Sequence, residues 1–308
     1  MADQPYLEVK GVSKTYTLKT IFSGSKQVKA LQDISFKLGR GEALALVGES
    51  GSGKSTCGRA IAGMFDIDEG DILVNGKSIT SARNSKEKRE NAQKVQMVFQ
   101  DPFASLNPTH TVRHHLARPL TLHKRVPEGS TLEQELVRTL EDVELEPDVM
   151  LDKFPHELSG GQRQRINLAR ALAVGAELII ADEPTSMLDV SIRRSILNLM
   201  NRLKTDRGIT FLYITHDLAT AHYLTENTAV MYGGRIVEYG PSDAIVRDPQ
   251  HPYSQLLLSS VPNAHTRINA DFEHARDFSK FADRVRTETA ASTAGLKEIA
   301  AGRFVRAA

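Results

Sequence analysis

Gly48-Glu49-Ser50-Gly51-Ser52-Gly53-Lys54-Ser55-Thr56 fits the pattern G-x-x-x-x-G-K-[ST] at every fixed position. The unbroken apolar run Ala43-Leu44-Ala45-Leu46-Val47 precedes it and reads as a buried parallel strand. Cys57-Gly58-Arg59-Ala60-Ile61-Ala62 follows it and reads as a first helix. Strand, glycine-rich turn and helix is the context that separates a phosphate-binding loop from a chance Gly/Ser turn. In that context Gly48, Ser50, Gly51, Ser52 and Gly53 let backbone N–H groups close around phosphate oxygens. The N-terminus of the helix, running through Thr56, adds partial positive charge. Lys54 is expected to reach the β- and γ-phosphates, and the Ser55 hydroxyl to ligate Mg²⁺.

Composition bounds the rest. The 308 residues suffice for one large domain or two small ones. With 40% hydrophobic and 25% charged residues, the profile is that of a soluble globular chain. A net charge of +1 gives no bulk attraction to nucleic acid or to an anionic membrane. One cysteine, Cys57, excludes a disulfide framework and a cysteine metal cluster. A helix N-terminus beside it would lower its pKa, but a small packing residue is the plainer reading. Met1 to Pro5 lacks a basic region followed by an apolar one, so no signal peptide is expected. No run approaches the ~18 apolar residues of a membrane span. The chain is expected in the cytoplasm, reaching a membrane only through a partner.

Upstream of the loop, Leu7-Glu8-Val9 and Ile34-Ser35-Phe36-Lys37-Leu38 alternate as antiparallel strands do. Residues 17 to 29 read as a loop around Gly24. Tyr16, among polar neighbours, is either a base-stacking aromatic or a strand-end tyrosine. Downstream, turn signals at Asp68-Glu69-Gly70-Asp71 and Asn75-Gly76 bracket the strand Ile72-Leu73-Val74. Residues 81 to 94 interleave both charges and read as a solvated helical face. Val95-Gln96-Met97-Val98-Phe99 is a strand ending at Gln100, where ligands bind in open α/β sheets.

From Ala104 to about Glu157 the pattern is helical, an all-helical insertion. Ser130-Thr131-Leu132-Glu133 predicts a capping box, Leu132, Leu136, Val137, Leu140 and Val143 share one face, and Pro147 ends that element. His114 and His115 are adjacent, so on a helix they diverge as surface or packing residues. Leu158-Ser159-Gly160-Gly161-Gln162 opens a long helix with Ser159 as N-cap. Paired glycines there suit either close approach to an anionic ligand or an ordinary cap.

Leu178-Ile179-Ile180-Ala181 is a buried strand that delivers Asp182 to its C-terminal edge, where a Mg²⁺-supporting carboxylate belongs. Glu183 next door is a candidate general base. Asp189 lies in the following turn, before a helix of Ile192, Ile196 and Leu199. The strand Thr210 to Ile214 ends at Thr215-His216-Asp217 and puts His216 on the same edge as Lys54, Asp182 and Gln100. A hairpin turning at Gly233-Gly234 closes the core, short helices follow Pro241, and residues 263 to 308 carry no strong pattern.

Together these residues resemble the ATP-binding subunits of ABC transporters. The resemblance spans about residues 6 to 245 and rests on the order and spacing of the phosphate loop, Gln100, Leu158 to Gln162, Asp182-Glu183, Asp189 and His216. It implies an α/β fold, a P-loop NTPase core of ABC type with an antiparallel β subdomain and an all-helical insertion subdomain at about 104–170. It implies ATP hydrolysis, with ATP and Mg²⁺ as cofactors. By resemblance Tyr16 stacks on adenine, Gln100 contacts Mg²⁺ and water, Glu183 is the catalytic base and His216 senses the γ-phosphate. Ser159, Gly161 and Gln162 belong to the signature that contacts ATP on the opposite subunit, so a dimer is implied.

Three stretches narrow the resemblance to bacterial dipeptide/oligopeptide importers: Gly48 to Gly53, Val98 to Pro108, and His251-Pro252-Tyr253-Ser254-Gln255-Leu256-Leu257. Gly58-Arg59 after the phosphate loop and the long loop before Val28 resemble the second of their two ATPase subunits. The domains implied are an ATPase domain at 6–262 and, at 263–308, an importer-type tail without the cysteine cluster of many relatives. The partners implied are a second ATPase subunit as a heterodimer, two transmembrane permeases and, indirectly, an extracytoplasmic substrate-binding protein, with no nucleic acid. The location implied is the cytoplasmic face of the bacterial inner membrane, held there by the permeases. Relatives of this type also serve oligosaccharides and nickel. A DNA-repair or chromosome ATPase would need a long heptad insertion or a basic face, and a ribosome-associated factor a second cassette; neither pattern is in this sequence.

Overall fold

The structure, a computed structural model, describes residues 4–20, 24–81, 85–102, 104–259 and 272–307. It opens with β1 (Leu7–Thr20) and β2 (Gly24–Leu38), then β3 (Ala43–Val47), α1 (Lys54–Ile61), β4 (Glu69–Val74) and β5 (Lys77–Ser78). Next come α2 (Ser85–Lys94), β6 (Val95–Val98), α3 (Val112–Leu122), α4 (Leu132–Asp142), α5 (Pro147–Met150), a 3₁₀ turn at Pro155–Glu157 and α6 (Gly160–Val174). The core continues through β7 (Leu178–Asp182), α7 (Val190–Arg207), β8 (Thr210–Thr215), α8 (Leu218–Leu224), β9 (Asn227–Tyr232), β10 (Arg235–Pro241) and α9 (Ser242–Arg247). The chain ends with α10 (Pro252–Ser259), α11 (Phe272–Ala291), β11 (Leu296–Ala300) and β12 (Arg303–Arg306).

The strands form two sheets. A small antiparallel sheet has the order β2-β1-β4-β5, and a large one the order β11-β12-β10-β9-β3-β8-β7-β6. Within the large sheet β9, β3, β8, β7 and β6 run parallel. Alternate residues of the central strands feed two cores. Leu44, Leu46, Ile180, Leu212 and Ile214 pack with the small sheet on one face. Ala45, Val47, Ile179, Ala181 and Phe211 pack with the helices on the other. Burial on both faces is why these strands read as continuous apolar runs. The α/β class, the antiparallel sheet and the helical segment agree with the sequence.

Four local expectations change. Residues 17 to 29 are not a loop outside the tip: Tyr16 pairs with Val28, Thr17 with Gln27 and Leu18 with Lys26. Side chains 16–18 and 25–29 are exposed, so the backbone ladder forms the ribbon without any apolar alternation to announce it. Residues 21–23 lie outside the described set, as does Phe103 of the 98–108 stretch. The capping box at α4 is set one residue later than expected. Thr131 accepts from the Gln134 N–H, and Gln134 accepts from the Thr131 N–H. Pro147 opens α5 rather than ending α4, because a first-turn proline loses no helical hydrogen bond. The region after residue 263 holds α11 and the hairpin β11–β12, and β12 extends the large sheet by pairing with β10. Residues 260–271 are outside the described set.

Candidate functional site

The phosphate loop leaves β3 at Val47 and tightens at once. A Cβ on Gly48 would sit 2.3 Å from the Met231 carbonyl oxygen. Gly53 has φ +104°, a left-handed value that favours glycine, and a Cβ there would lie 2.5 Å from the Ala30 carbonyl oxygen. The Gly234 N–H donates to the Ser52 carbonyl at 2.9 Å, tying the loop to the β9–β10 turn. Ser50 and Gly51 are exposed at the tip, and Ser55 and Thr56 stand half-buried on the first turn of α1.

Lys54 is 5% exposed. Its Nζ donates to the Gly48 carbonyl at 2.7 Å and the Glu49 carbonyl at 2.9 Å. Burial lowers its pKa, while the carboxylates of Glu183, Asp182 and Glu49 oppose that shift. A buried ammonium held on carbonyls beside a helix N-terminus is a fitting receptor for a polyanion.

Four parallel strands bring the rest to one edge. Ser55 Oγ donates to Asp182 Oδ1 at 2.9 Å, linking α1 to the end of β7. Burial raises the Asp182 pKa; the Ser55 bond and the Arg59 charge work against it. Glu183 adopts φ 47°, and its N–H donates to the Ile214 carbonyl of β8 at 2.9 Å. Gln100, just beyond β6, donates its Nε2 to Glu183 Oε2 at 3.2 Å. His216, just beyond β8, places Nδ1 3.2 Å from the same oxygen. One carboxylate oxygen thus gathers an amide and an imidazole from two other strands. A hydroxyl–carboxylate pair beside it offers oxygen ligands of the kind Mg²⁺ takes.

The remaining candidates lie apart from this cluster. Ser159 caps α6 and forms a reciprocal box with Gln162 at 2.9 and 3.3 Å. The paired glycines have a packing reason within this chain: a Cβ on Gly161 would lie 2.7 Å from Ile192 Cγ2, and one on Gly160 3.1 Å from Leu188 Cδ2. Asp189 is the exposed N-cap of α7 and makes no side-chain cap bond. It is flanked by the exposed apolar side chains Met187 and Val190, 56% and 81% exposed. Tyr16 is 37% exposed, with its ring 6.0 Å from Phe65 in an edge arrangement. Cys57 is buried and its thiol pushed up to about 12, which fits packing rather than reactivity.

Two features escaped the sequence reading. Arg59 faces Asp182 from one turn beyond Ser55, an i,i+4 spacing that would have found it. A cleft of about 870 Å³ runs from Ser55, Gln100 and Asp182 to His114, Arg118 and Asn167. In its wall His114 and His115 do not simply diverge. His114 stacks on His110 at 3.9 Å, and His115 Nε2 lies 3.1 Å from the Asn107 carbonyl oxygen.

Residues 31–186 match the family model for ABC transporters, and residues 237–282 that for the oligopeptide/dipeptide transporter C-terminal region. The oligopeptide transport ATP-binding protein OppF of Bacillus subtilis is 43% identical over 278 residues, 90% of each chain. Its namesake from Streptococcus mutans is 43% identical over 98% of this chain and 94% of its own. The glutathione import ATP-binding protein GsiA of Salmonella typhimurium is 43% identical over 85% of this chain but only 42% of its own length. Among solved structures, the ATP-binding cassette MJ0796, dimeric and bound to ADP and Pi, superimposes with a TM-score of 0.65 at 26% identity. It covers 77% of this chain and 98% of its own.

Proposed function

Since this chain belongs to the ABC transporter family of ATP-binding subunits, and so binds and hydrolyses ATP, we propose that it powers the import of oligopeptides or dipeptides through a membrane transporter. The observation that carries the chemical reading is Glu183 Oε2, met by Gln100 and by His216 at 3.2 Å beside the Ser55–Asp182 pair. In this reading the phosphate loop and Lys54 bind the β- and γ-phosphates, and Tyr16 stacks on adenine. Ser55, Asp182 and Gln100 hold Mg²⁺, which when bound offsets the charge on the phosphates. Glu183 accepts the proton of the attacking water, Gln100 orients that water, and His216 donates to the γ-phosphate. Asp182, buried and with a raised pKa, has to be ionised to serve the metal, so Mg²⁺ affinity rises with pH through the acid range.

The partners we propose are a second ATPase subunit, two transmembrane permeases and, through them, a substrate-binding protein outside the membrane. No helix among the described residues is long and apolar enough to cross a membrane. The attachment we propose, at the cytoplasmic face of the bacterial inner membrane, runs through the permeases. Exposed Met187 and Val190 beside Asp189 support a covered face there. Ser159, Gly161 and Gln162 serve the ATP of the partner subunit. The cleft between Gln100 and α3 is where a permease helix would feel the nucleotide. The same boundaries, 6–262 for the ATPase and 263–308 for the importer-type tail, frame this division of labour.

The test is uptake of labelled oligopeptide by cells carrying the whole transporter, with wild-type chain or Lys54→Ala. Uptake that depends on Lys54 supports the proposal. Unimpaired peptide uptake in the variant, or Lys54-dependent uptake of oligosaccharide or nickel instead, refutes the peptide reading.

A further inference from the structure

The C-terminal helix α11 reaches back to the phosphate loop. Arg286 on that helix grips Glu49, the second residue of the loop, with two bonds: Nη2 to Oε1 at 2.6 Å and Nε to Oε2 at 3.2 Å. Parallel donation to both carboxylate oxygens fixes orientation as well as distance. The backbone of the same residue is held from α10, where the Tyr253 hydroxyl accepts from the Glu49 N–H at 3.0 Å. The Tyr253 ring is fully buried against Tyr232, 4.7 Å between centroids, so that acceptor does not wander. The third group of Glu49, its carbonyl, accepts from Lys54 Nζ at 2.9 Å. One residue therefore connects the C-terminal region to the lysine that meets the phosphates.

We infer that Arg286 is a positioning residue for ATP: it clamps Glu49 and so presets the phosphate loop and Lys54 for the triphosphate. Arg286 itself touches no residue of the loop other than Glu49 among the bonds described, and its remaining ion pair is to Asp283 at 3.5 Å on its own helix. A Glu49 side chain released from Arg286 leaves a free carboxylate beside a polyanion site, which opposes phosphate binding by charge as well as by loss of shape. Both side chains are a little over one third exposed, 39% and 38%, so the contribution is modest and screened by salt. The inference deepens the ATP-binding reading and rests on it.

The experiment is a titration of the full chain with a fluorescent ATP analogue, for wild type, Arg286→Ala, Arg286→Lys, Glu49→Ala and the Glu49→Ala/Arg286→Ala double variant. Thermal midpoints are recorded in parallel. Arg286→Ala is expected to weaken binding about two- to fivefold at low salt, the scale of a partly exposed ion pair. Lys cannot make the fork and should restore only part of that loss. In the double variant the Arg286→Ala loss should vanish, because its partner is already gone. Added salt should weaken wild type toward the Arg286→Ala value. In the transporter the Arg286→Ala effect should appear in KM for ATP, with kcat little changed. Equal affinity in wild type and Arg286→Ala, or the same loss from Arg286→Ala whether or not Glu49 is present, overturns the inference while leaving ATP binding intact. A loss matched by a lower thermal midpoint and by an equal fall in kcat assigns Arg286 to general stability and overturns it too. A wild-type chain that binds no ATP overturns both this inference and the reading beneath it.

Discussion

Glu183 holds a left-handed backbone, which costs a residue with a side chain on the order of 1–3 kcal/mol. Its N–H bond to Ile214 and the two contacts at Oε2 keep it there. Strain maintained at a carboxylate that two other strands address is what a reacting group would need. Gln in its place has nearly the same shape but cannot take a proton. Glu183→Gln is therefore expected to leave ATP affinity nearly intact and slow hydrolysis by ~10²–10⁴, with nucleotide affinity and turnover measured side by side and the partner's site silenced. Near wild-type turnover would remove Glu183 from the role. Lys54→Ala should sharply weaken ATP binding, since the buried charge has no substitute. Tyr16→Ala should weaken it by ~1–3 kcal/mol if the ring stacks on the base. Equal wild-type affinity for ATP and for a ribose triphosphate lacking a base would contradict that stacking.

At the scale of elements, the tie between β10 and α10 carries a pH dependence. His251 is fully buried; its N–H donates to Glu238 Oε2 at 3.1 Å, and its Nδ1 accepts from the Tyr253 N–H at 3.0 Å. Burial lowers its pKa to about 4; Glu238 opposes the shift, and the Arg306 charge adds to it. The fold therefore holds the ring neutral. That stabilisation is complete above the unfolded value near 6.5 and is lost as pH falls through about 4, a range worth roughly 3 kcal/mol. Denaturation midpoints of wild type should fall over that window. Asn in place of His251 can still accept from Tyr253 and does not titrate, so His251→Asn should flatten the fall. An equal slope in both would contradict the assignment.

What the sequence discloses about these elements follows their burial. Ser55 and Asp182 are 127 positions apart, yet both were legible because apolar runs predict the strands that deliver them. The base of the β1–β2 ribbon was legible from the alternation of Leu7 to Val9 and Ile34 to Leu38, but its outer part, Tyr16 to Leu18 against residues 25–29, and the β11–β12 hairpin were not, because their residues face solvent and no alternation is imposed. Ser159 was legible as a cap, but the need for glycine at Gly161 comes from Ile192 on the next helix, far along the chain. The Arg286–Glu49 pair, 237 positions apart, joins a helix of ordinary charge pattern to the loop, and nothing local marks it.

For the whole molecule, we propose that ATP hydrolysis belongs to an assembly rather than to the single chain. The signature residues Ser159, Gly161 and Gln162 bond among themselves or pack on α7, while Lys54, Glu183 and His216 sit on the edge of the parallel sheet. In the assembly we propose, each half-site finds its complement on a second subunit, and ATP has to bind the closed pair better than the open one for its binding to move the permeases. Ser159→Arg should leave nucleotide binding to this chain unchanged and abolish hydrolysis at the partner's site. The most direct measurement is ATP turnover by this chain purified alone, set against the same chain co-purified from membranes with its partners. Slow turnover by the isolated monomer and recovery in the complex are expected. Full turnover by a strict monomer, or no association with permeases, would contradict the proposal.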